Sequence, residues 1–506
     1  MASAPAHAPP LGGMRLAMVA LFLALGTFMI VLDTTIANVS LPTISGNLGV
    51  SSDTSTWIVT SFAVSNGIAL PLTGWLMGRF GVVRVFCTAV LLFTAASFLC
   101  GIAWNLPSLI LFRILQGAAA GPVIPGSQAL LISVFPPNRR ATALGIWSMT
   151  TLVAPIAGPL LGGYISDNFH WSLIFLINVP FGLLTAIVCW LGLRRRETPM
   201  RKLPIDGVGM GLLVLWVGGL QIMLDLGKNA DWFNSTIIVV LAIVALICFA
   251  AWVIWELTDA NPAVDLSFFA RRNFALGCTA YCLGYAVFFA NILLLPLWLQ
   301  TQLGYTASWA GLISAPGGVV AVILTPLVAR ASARIDARWL ATIAFVAFAT
   351  SYAMRSGFTQ TVSPWDLALP QFVQGIGMST FFLAMLTITL DGIPPERLPS
   401  ATGISNFARI VGGSFAASLV TTGWDRREAI QQSRLSEAIG NGGPLHFATD
   451  TLGARGLSDV QAAATITRQM VGQAYLLASI DIFRLSAWLS GILVVLIWWT
   501  RRPRRQ

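Results

Sequence analysis

The 506 residues of the chain are 56% hydrophobic and only 10% charged, and the formal net charge is +10. This composition excludes a soluble globular domain and describes a protein that dissolves in lipid. The positive charge does not indicate nucleic-acid binding, because the basic residues stand in short groups between apolar runs and not along one stripe.

Apolar runs long enough to cross about 30 Å of hydrocarbon recur along the chain. They are too long for barrel strands, which need only about ten alternating residues. The sequence therefore predicts an all-α polytopic membrane protein. The roughly fourteen predicted spans are residues 14–36, 54–77, 85–104, 107–133, 141–165, 171–193, 207–226, 236–257, 273–300, 308–329, 339–358, 366–390, 401–423 and 478–500.

The first run carries an acid, Asp33, within the stretch LDTTIANVSLP at 32–42. A carboxylate at membrane depth costs at least about 2.5 kcal/mol on insertion scales, so it faces a cavity, pairs with a cation or carries a proton. Asp33 precedes Ile36 by three residues, and Arg113 of the fourth run follows Pro107 by six. Because these helices run in opposite directions, both side chains are expected at one level, within about 10 Å of the outer side.

The distribution of Lys and Arg predicts the orientation of the chain. One set of connections holds most of these residues, and the alternate short connections hold little beyond Lys228 and Arg355. The basic set is expected to be cytoplasmic, so both termini are inside, as an even number of spans requires. This set comprises Arg15, Arg79, Arg84, Arg139, Arg140, Arg194, Arg195, Arg196, Arg201, Lys202, Arg271, Arg272, Arg330, Arg334, Arg338, Arg397 and the terminal RRPRR.

One outer connection is long. Residues 424–477 form a polar segment of helical pattern, broken by NGGP at 441–444. Ser458 and Gln461 have the spacing of a capping box, which predicts a helix start there. The segment is either a platform for a partner on the outer side or a helical cap on the bundle's own mouth.

Two stretches of the chain repeat after 258 residues. FRILQG (112–117) matches PQFVQG (370–375), and FPPNRRATALGI (135–146) matches IPPERLPSATGI (393–404). Six spans occupy residues 14–193, so an offset of 258 leaves room for two inserted helices. We therefore predict two parallel six-helix halves, an arrangement in which alternating-access transporters bind cargo between the halves.

The repeat divides the chain into seven segments. In order, they are a cytoplasmic tail (1–13), an N-terminal six-helix half (14–193), a cytoplasmic linker (194–206), two inserted helices (207–257), a cytoplasmic loop (258–271), a C-terminal six-helix half (272–500) that includes the periplasmic segment 424–477, and a cytoplasmic tail (501–506).

Four motifs carry a family resemblance: LDTTIANVSLP, RILQGAAAG (113–121), APIAGPLLGG (154–163) and GWLMGRFGVVR (74–84). They resemble the first-span, fourth-span, antiporter and loop motifs of the major facilitator superfamily, in its fourteen-span drug:proton antiporter branch of the EmrB/QacA type. The resemblance covers nearly the whole chain. One departure is Gly78 in the loop motif, where many relatives have Asp.

The resemblance implies a proton-coupled multidrug efflux antiporter that moves lipophilic compounds across the inner membrane by alternating access. No cofactor and no metal are implied, because the proton gradient supplies the energy. The long 424–477 connection is more similar to EmrB than to QacA. This implies a tripartite pump with an EmrA-like periplasmic adaptor and a TolC-like outer-membrane channel.

The matched motif positions form three candidate groups. Asp33 and Arg113 are the expected proton-coupling pair, since a cation and apolar surroundings pull a carboxylate in opposite directions and let it bind and release protons. The alternative is a static ion pair. The gating group is Pro155, Gly158, Pro159, Gly162 and Gly163, and the loop-motif group is Gly74, Arg79, Gly81 and Arg84. The gating group is read either as a tight outer seal that bends or slides or as plain helix packing.

Polar residues within other spans are the cavity candidates. The repeat maps Arg113 onto Gln371 and places no acid in the ninth span, so coupling is expected in the first half. Gln371 and Gln374 line the cavity or form interhelical hydrogen bonds. Arg409 attracts anionic cargo or binds carbonyl groups at helix ends. The full candidate set is Asn38, Gln116, Asn291, Gln371, Gln374 and Arg409.

Other function classes find little support. Neither Lys202 nor Lys228 follows a P-loop glycine pattern, which argues against ATP-driven transport. All three histidines lie outside the predicted spans, and no catalytic constellation is present, so an enzyme is not expected. The buried Asp33 and Arg113 favour coupled exchange over a passive channel. A proton-coupled exporter of one dedicated solute, such as a fatty acid or a metabolite, and a non-transporting membrane sensor stay open as alternatives.

Overall fold

The structure of the protein is a computed structural model. It describes residues 11–136, 139–200, 204, 206–259, 262–332, 334–440, 451–452, 454 and 458–502. Every regular element within these ranges is a helix, which confirms the predicted all-α class.

The long helices are numbered here in chain order. They are α1 (Gly13–Leu48), α2 (Trp57–Ala69), α3 (Thr73–Phe80), α4 (Val82–Gly101), α5 (Leu106–Ala120), α6 (Val123–Val134), α7 (Arg140–Asn168), α8 (Asn178–Leu193), α9 (Gly207–Leu226), α10 (Thr236–Thr258), α11 (Arg272–Gln302), α12 (Ala307–Ala331), α13 (Ala337–Arg355), α14 (Pro364–Thr389), α15 (Leu398–Gly440) and α16 (Asp459–Trp498).

Eleven helices of the described chain are long and apolar enough to cross a membrane. Helices α2 and α3 add a twelfth as one span, bent by 57°. Pro71 lies at the break, and a proline both removes a backbone donor and clashes with the preceding turn. The remaining two predicted spans are the helices α7 and α15, so each of the fourteen predicted positions is helical.

The first helix is longer than predicted. It ends at Leu48, not at Ile36, and Gly49 closes it at a φ of 64°. Hydropathy predicts only the apolar part of a helix, whereas backbone hydrogen bonding continues α1 to Leu48. Asp33 lies fifteen residues, or about 22 Å, before the end of α1, so this helix continues well beyond the predicted span.

The long outer connection is largely helical. Helix α15 continues past the predicted span end at residue 423, and α16 begins well before residue 478. The predicted capping box is confirmed, because Ser458 and Gln461 each accept the other's backbone N–H. The NGGP stretch at 441–444 lies outside the described residues.

The outer parts of α15 and α16, residues 424–440 and 459–477, are called the outer hairpin below. At its base, the Trp424 indole N–H donates to Ser479 Oγ at 2.9 Å. Gln431 donates to Asp481 at 3.1 Å, and Arg427 lies 3.7 Å from the same carboxylate. These contacts hold the two helices together where they leave the bundle.

The two halves meet along pairs of helices. Helix α7 packs on α12, and α6 packs on α15. In the second pair, Asn406 donates to Gln128 Oε1 at 2.6 Å, and Thr402 donates to the Pro125 carbonyl at 3.3 Å. The inserted helices α9 and α10 pack on each other, and α9 also contacts α2 and α15. The insert therefore lies against the seam between the halves.

Candidate functional site

Asp33 and Arg113 form a fully buried ion pair. Arg113 Nη1 donates to Asp33 Oδ2 at 2.5 Å, and both side chains are 0% exposed. The pair joins α1 to α5, as the sequence predicts. At this burial neither charge is screened by water, so each one depends on the other for stability.

Two amides complete the surroundings of the Asp33 carboxylate. Gln116 of α5 and Asn178 of α8 each donate to Oδ1 at 2.9 Å. Both amides also donate to Ser97 Oγ on α4, at 2.6 and 3.2 Å respectively. Helices α1, α5 and α8 therefore meet at one carboxylate, and Ser97 of α4 holds the two amides that donate to it.

Sequence reasoning missed Asn178 and Ser97 as parts of this site and placed Gln116 among the cavity candidates. The available signal was weak. Asn178 is an isolated amide in an apolar run, and such residues usually serve helix packing. Because Ser97 is small and neutral, it carries no signal of its own.

Four further contacts hold the Arg113 guanidinium. Its Nε donates to the Ile58 carbonyl of α2 at 3.0 Å, and its carbon Cζ lies 4.3 Å from the centre of the Phe62 ring and 5.5 Å from that of Phe175. Its Nη1 also donates to Gln116 Oε1 at 2.7 Å. Aromatic faces stabilise a cation in a desolvated site, so Arg113 is tied to α2 as well as to α1.

The antiporter motif packs directly behind Asp33. A Cβ atom at Gly158 would lie 2.0 Å from Thr35 Oγ1, and one at Gly162 would lie 2.9 Å from the Ile36 side chain. Only glycine lets α7 approach α1 this closely, two or three residues from Asp33.

The other members of this group differ in their surroundings. A Cβ atom at Gly163 would meet nothing within 4 Å. Pro155 is half-buried on α7. The side chain of Pro159 lies outside the described residues.

The loop motif is organised by an acid from another part of the chain. Glu197, after α8, accepts the backbone N–H groups of Val83 and Arg84 at 2.9 Å each. Gly81 has a φ of 91°, and a Cβ atom there would lie 2.4 Å from the Glu197 side chain. Glu197 therefore supplies a negative charge at the start of α4.

The remaining loop-motif residues contact both halves. A Cβ atom at Gly74 would lie 2.0 Å from Ser400 Oγ of α15, so this glycine lets the halves touch. The Arg79 guanidinium lies 5.3 Å from the centre of the Trp75 ring. Its charge therefore sits on an aromatic face of its own helix.

The cavity candidates of the second half bond within that half. Asn291 donates to Ser486 Oγ at 2.9 Å, and Gln371 and Gln374 both accept from Arg355 Nη2. The prediction that Arg355 belongs to an outer connection was wrong, because it is the last residue of α13 and only 1% exposed. Hydropathy alone does not distinguish a buried arginine at a helix end from one in a loop.

The other two cavity candidates lie apart from this group. Asn38 is exposed on α1. Arg409 is 5% exposed, and its guanidinium lies 4.7 Å from the centre of the Tyr285 ring on α11. Arg409 therefore stands between α15 and α11, where an aromatic face supports its charge.

The chemistry available at this site is proton exchange on one carboxylate. Protonation of Asp33 removes one charge of the pair and leaves Arg113 without its counter-ion in a dry site. No cluster of three or more metal-ligating side chains is present among the described residues.

The family model described as the Major Facilitator Superfamily matches residues 23–417. The chain is 47% identical to the multidrug export protein EmrB of Haemophilus influenzae, over 98% of each chain. It is 45% identical to the fatty acid resistance protein FarB of Neisseria gonorrhoeae, again over 98% of each. A solved structure of a double-tryptophan XylE mutant aligns over 97% of each chain with a TM-score of 0.61 at 13% identity, which shows the fold alone.

Proposed function

This chain belongs to the major facilitator superfamily, and from that membership we propose that it is a proton-coupled multidrug efflux antiporter. It exports lipophilic compounds by alternating access of a cavity between its two six-helix halves. The proton gradient is its energy source, and no cofactor takes part. The relative from Haemophilus influenzae, with its printed name of multidrug export protein, supports the choice of cargo.

The observation that carries the proposal is the buried Asp33 carboxylate. An acid with 0% exposure, balanced against a single cation, is costly to keep in a membrane protein unless its charge is used. In its ionised state it binds Arg113, Gln116 and Asn178, which ties α1 to α5 and α8. A proton that arrives from the outer side neutralises the carboxylate and weakens all three contacts at once.

The change at Asp33 reaches the rest of the half through α1. Thr35 lies two residues further along this helix and forms the contact surface for Gly158 of α7. Its hydroxyl also lies 3.4 Å from the Ala154 carbonyl. Helix α7 in turn packs on α12 of the second half. Proton binding at Asp33 is thereby coupled to the contact of α7 with α12, along which the two halves move relative to each other.

We further place the protein in the inner membrane, with both termini cytoplasmic. The concentration of Lys and Arg in one set of connections supports this orientation. The outer hairpin then extends into the periplasm. Its polar, exposed helices support a role as the docking site for an EmrA-like adaptor, which leads to a TolC-like outer-membrane channel.

The proposal is tested in liposomes that contain an internal pH dye. A proton gradient is imposed, lipophilic drugs are added, and wild type is compared with Asp33→Asn. We expect drug-dependent proton flux in wild type and the flux of protein-free liposomes in Asp33→Asn. The matched control is Asp366→Asn, the same substitution at an exposed acid near the start of α14, which keeps the wild-type flux.

Drug binding is measured on the same samples, because a misfolded variant would lose both properties. Retained binding with lost flux assigns the defect to coupling. If Asp33→Asn carried the full proton-driven flux, Asp33 would not be the coupling carboxylate.

One observation favours a second cargo. The relative from Neisseria gonorrhoeae carries the name of a fatty acid resistance protein and matches the chain over the same 98%. Long-chain fatty acids therefore form a separate arm of the liposome experiment. Flux with fatty acids and none with any drug would identify an exporter of one dedicated solute.

A further inference from the structure

The second half contains a repeat of the Asp33 site in which the charges have changed. Adding 258 to the residue numbers takes Asp33 to Asn291, Ser97 to Arg355, Arg113 to Gln371 and Gln116 to Gln374. The first half therefore holds an acid and an arginine at these four positions. At the corresponding four positions, the second half holds one arginine and no acid.

The contacts of the first half reappear in the second half. Ser97 contacts Gln116, and Arg355 correspondingly donates to Gln374. Asp33 accepts from α8, the last helix of its half, and Asn291 correspondingly bonds to α16, the last helix of the other half. The second site is thus a structural counterpart of the first, and the repeat relation is not confined to sequence.

Arg355 carries a buried charge that no acid of the described residues balances. Its side chain is fully enclosed, and no carboxylate of the described residues lies within ion-pair distance of it. Its Nε and Nη1 have no hydrogen-bond partner among those residues. A buried cation without a counter-charge destabilises the fold, so a counter-charge is expected beside it.

A further donor belongs to the same group. Gln374 Nε2 corresponds to the atom of Gln116 that binds Asp33, and it too has no partner within the described chain. The Tyr352 hydroxyl lies beside Gln374 without reaching hydrogen-bond geometry.

We propose that Arg355 and Gln374 form a binding site for a small inorganic monoanion of the chloride class. Because Asn291 fills the position of Asp33, the anion is placed against the unpartnered Nε and Nη1 of Arg355 and Nε2 of Gln374. The site is too enclosed for a drug-sized ligand, because the Tyr352 and Phe483 rings lie 5.4 and 5.8 Å from the guanidinium. Arg355 is the last residue of α13, and the next residues, Ser356 and Gly357, are half-buried and exposed respectively, so the site lies close to solvent.

Thermal unfolding of the purified full-length protein tests this site. Chloride is titrated against gluconate at constant ionic strength, so that only the small anion varies. We expect a saturable rise in the Tm of wild type, of roughly 2 °C at a tenfold excess over the Kd. In Arg355→Gln the rise is lost. In gluconate this variant is at least as stable as wild type, because its buried charge is gone.

The matched control is Arg338→Gln, at the other end of the same helix. Arg338 already pairs with Asp336 at 2.9 Å, so its loss leaves the chloride effect intact. Bromide, located by its anomalous signal in crystals, gives a second readout that needs no variant. A chloride effect that persists in Arg355→Gln, or a wild-type Tm that does not respond to chloride, would overturn the proposal. Neither result depends on whether the protein transports drugs.

Discussion

The buried pair of Asp33 and Arg113 predicts a large and non-additive loss of stability. In Asp33→Asn, Arg113 keeps its charge at 0% exposure and loses its counter-ion. Breaking a buried pair in this way costs about 3–5 kcal/mol. The new amide also directs its own N–H groups at one or more of the donors Arg113, Gln116 and Asn178, so hydrogen bonds are lost as well.

The double variant Asp33→Asn with Arg113→Gln removes both charges. It recreates the pair Asn291 and Gln371 that the second half accepts at the corresponding positions. We therefore expect it to be more stable than Asp33→Asn alone by about 2–3 kcal/mol. The assay is the free energy of unfolding from SDS titrations followed by tryptophan fluorescence, applied to wild type, both single variants and the double variant.

The control for this cycle is the exposed pair of Lys228 and Asp425. Their side chains lie 2.8 Å apart and are 42% and 41% exposed, so solvent screens their attraction. Their coupling is expected to stay below about 1 kcal/mol. Additive losses at Asp33 and Arg113, or a coupling as small as that of the control pair, would refute the buried-pair interpretation.

Two further variants test the packing around the site. Gly158→Ala places a Cβ atom 2.0 Å from Thr35 Oγ1, so we expect a loss of about 1–3 kcal/mol in unfolding free energy and reduced drug transport. The control is Gly163→Ala, whose Cβ atom meets nothing within 4 Å. This control is expected to behave as wild type in both assays. Glu197→Ala removes the acceptor of two backbone N–H groups at the start of α4 and should lower the unfolding free energy by about 0.5–2 kcal/mol. Its control, Glu437→Ala on the exposed outer hairpin, changes the unfolding free energy by less than about 0.5 kcal/mol. Equal effects of a variant and its control, for either glycine or glutamate, would contradict these contacts.

The sequence by itself determined the class of the protein, the positions of its long helices and the pairing of Asp33 with Arg113. Each of these follows from the cost of transfer into lipid. That cost requires about 20 apolar residues for a span and makes a charge inside a span conspicuous. The helix start at Ser458 could also be predicted from the sequence, because a capping box depends only on residues that are neighbours in the chain.

Tertiary structure alone decided which neutral side chains complete the site. Asn178, Ser97 and Gln116 come from three different helices, and nothing local to any of them indicates a common carboxylate. Likewise, Glu197 reaches the loop motif from a segment more than a hundred residues away.

The burial of Arg355 is another feature that only the tertiary structure decides. The sequence places Arg355 at the edge of an apolar run and predicts that it belongs to a connection, whereas packing of α13 against α14 buries it with Gln371 and Gln374. Hydropathy records the average environment of a segment. The partner of a single polar group depends on how helices distant in the chain are packed, and only the three-dimensional arrangement contains that information.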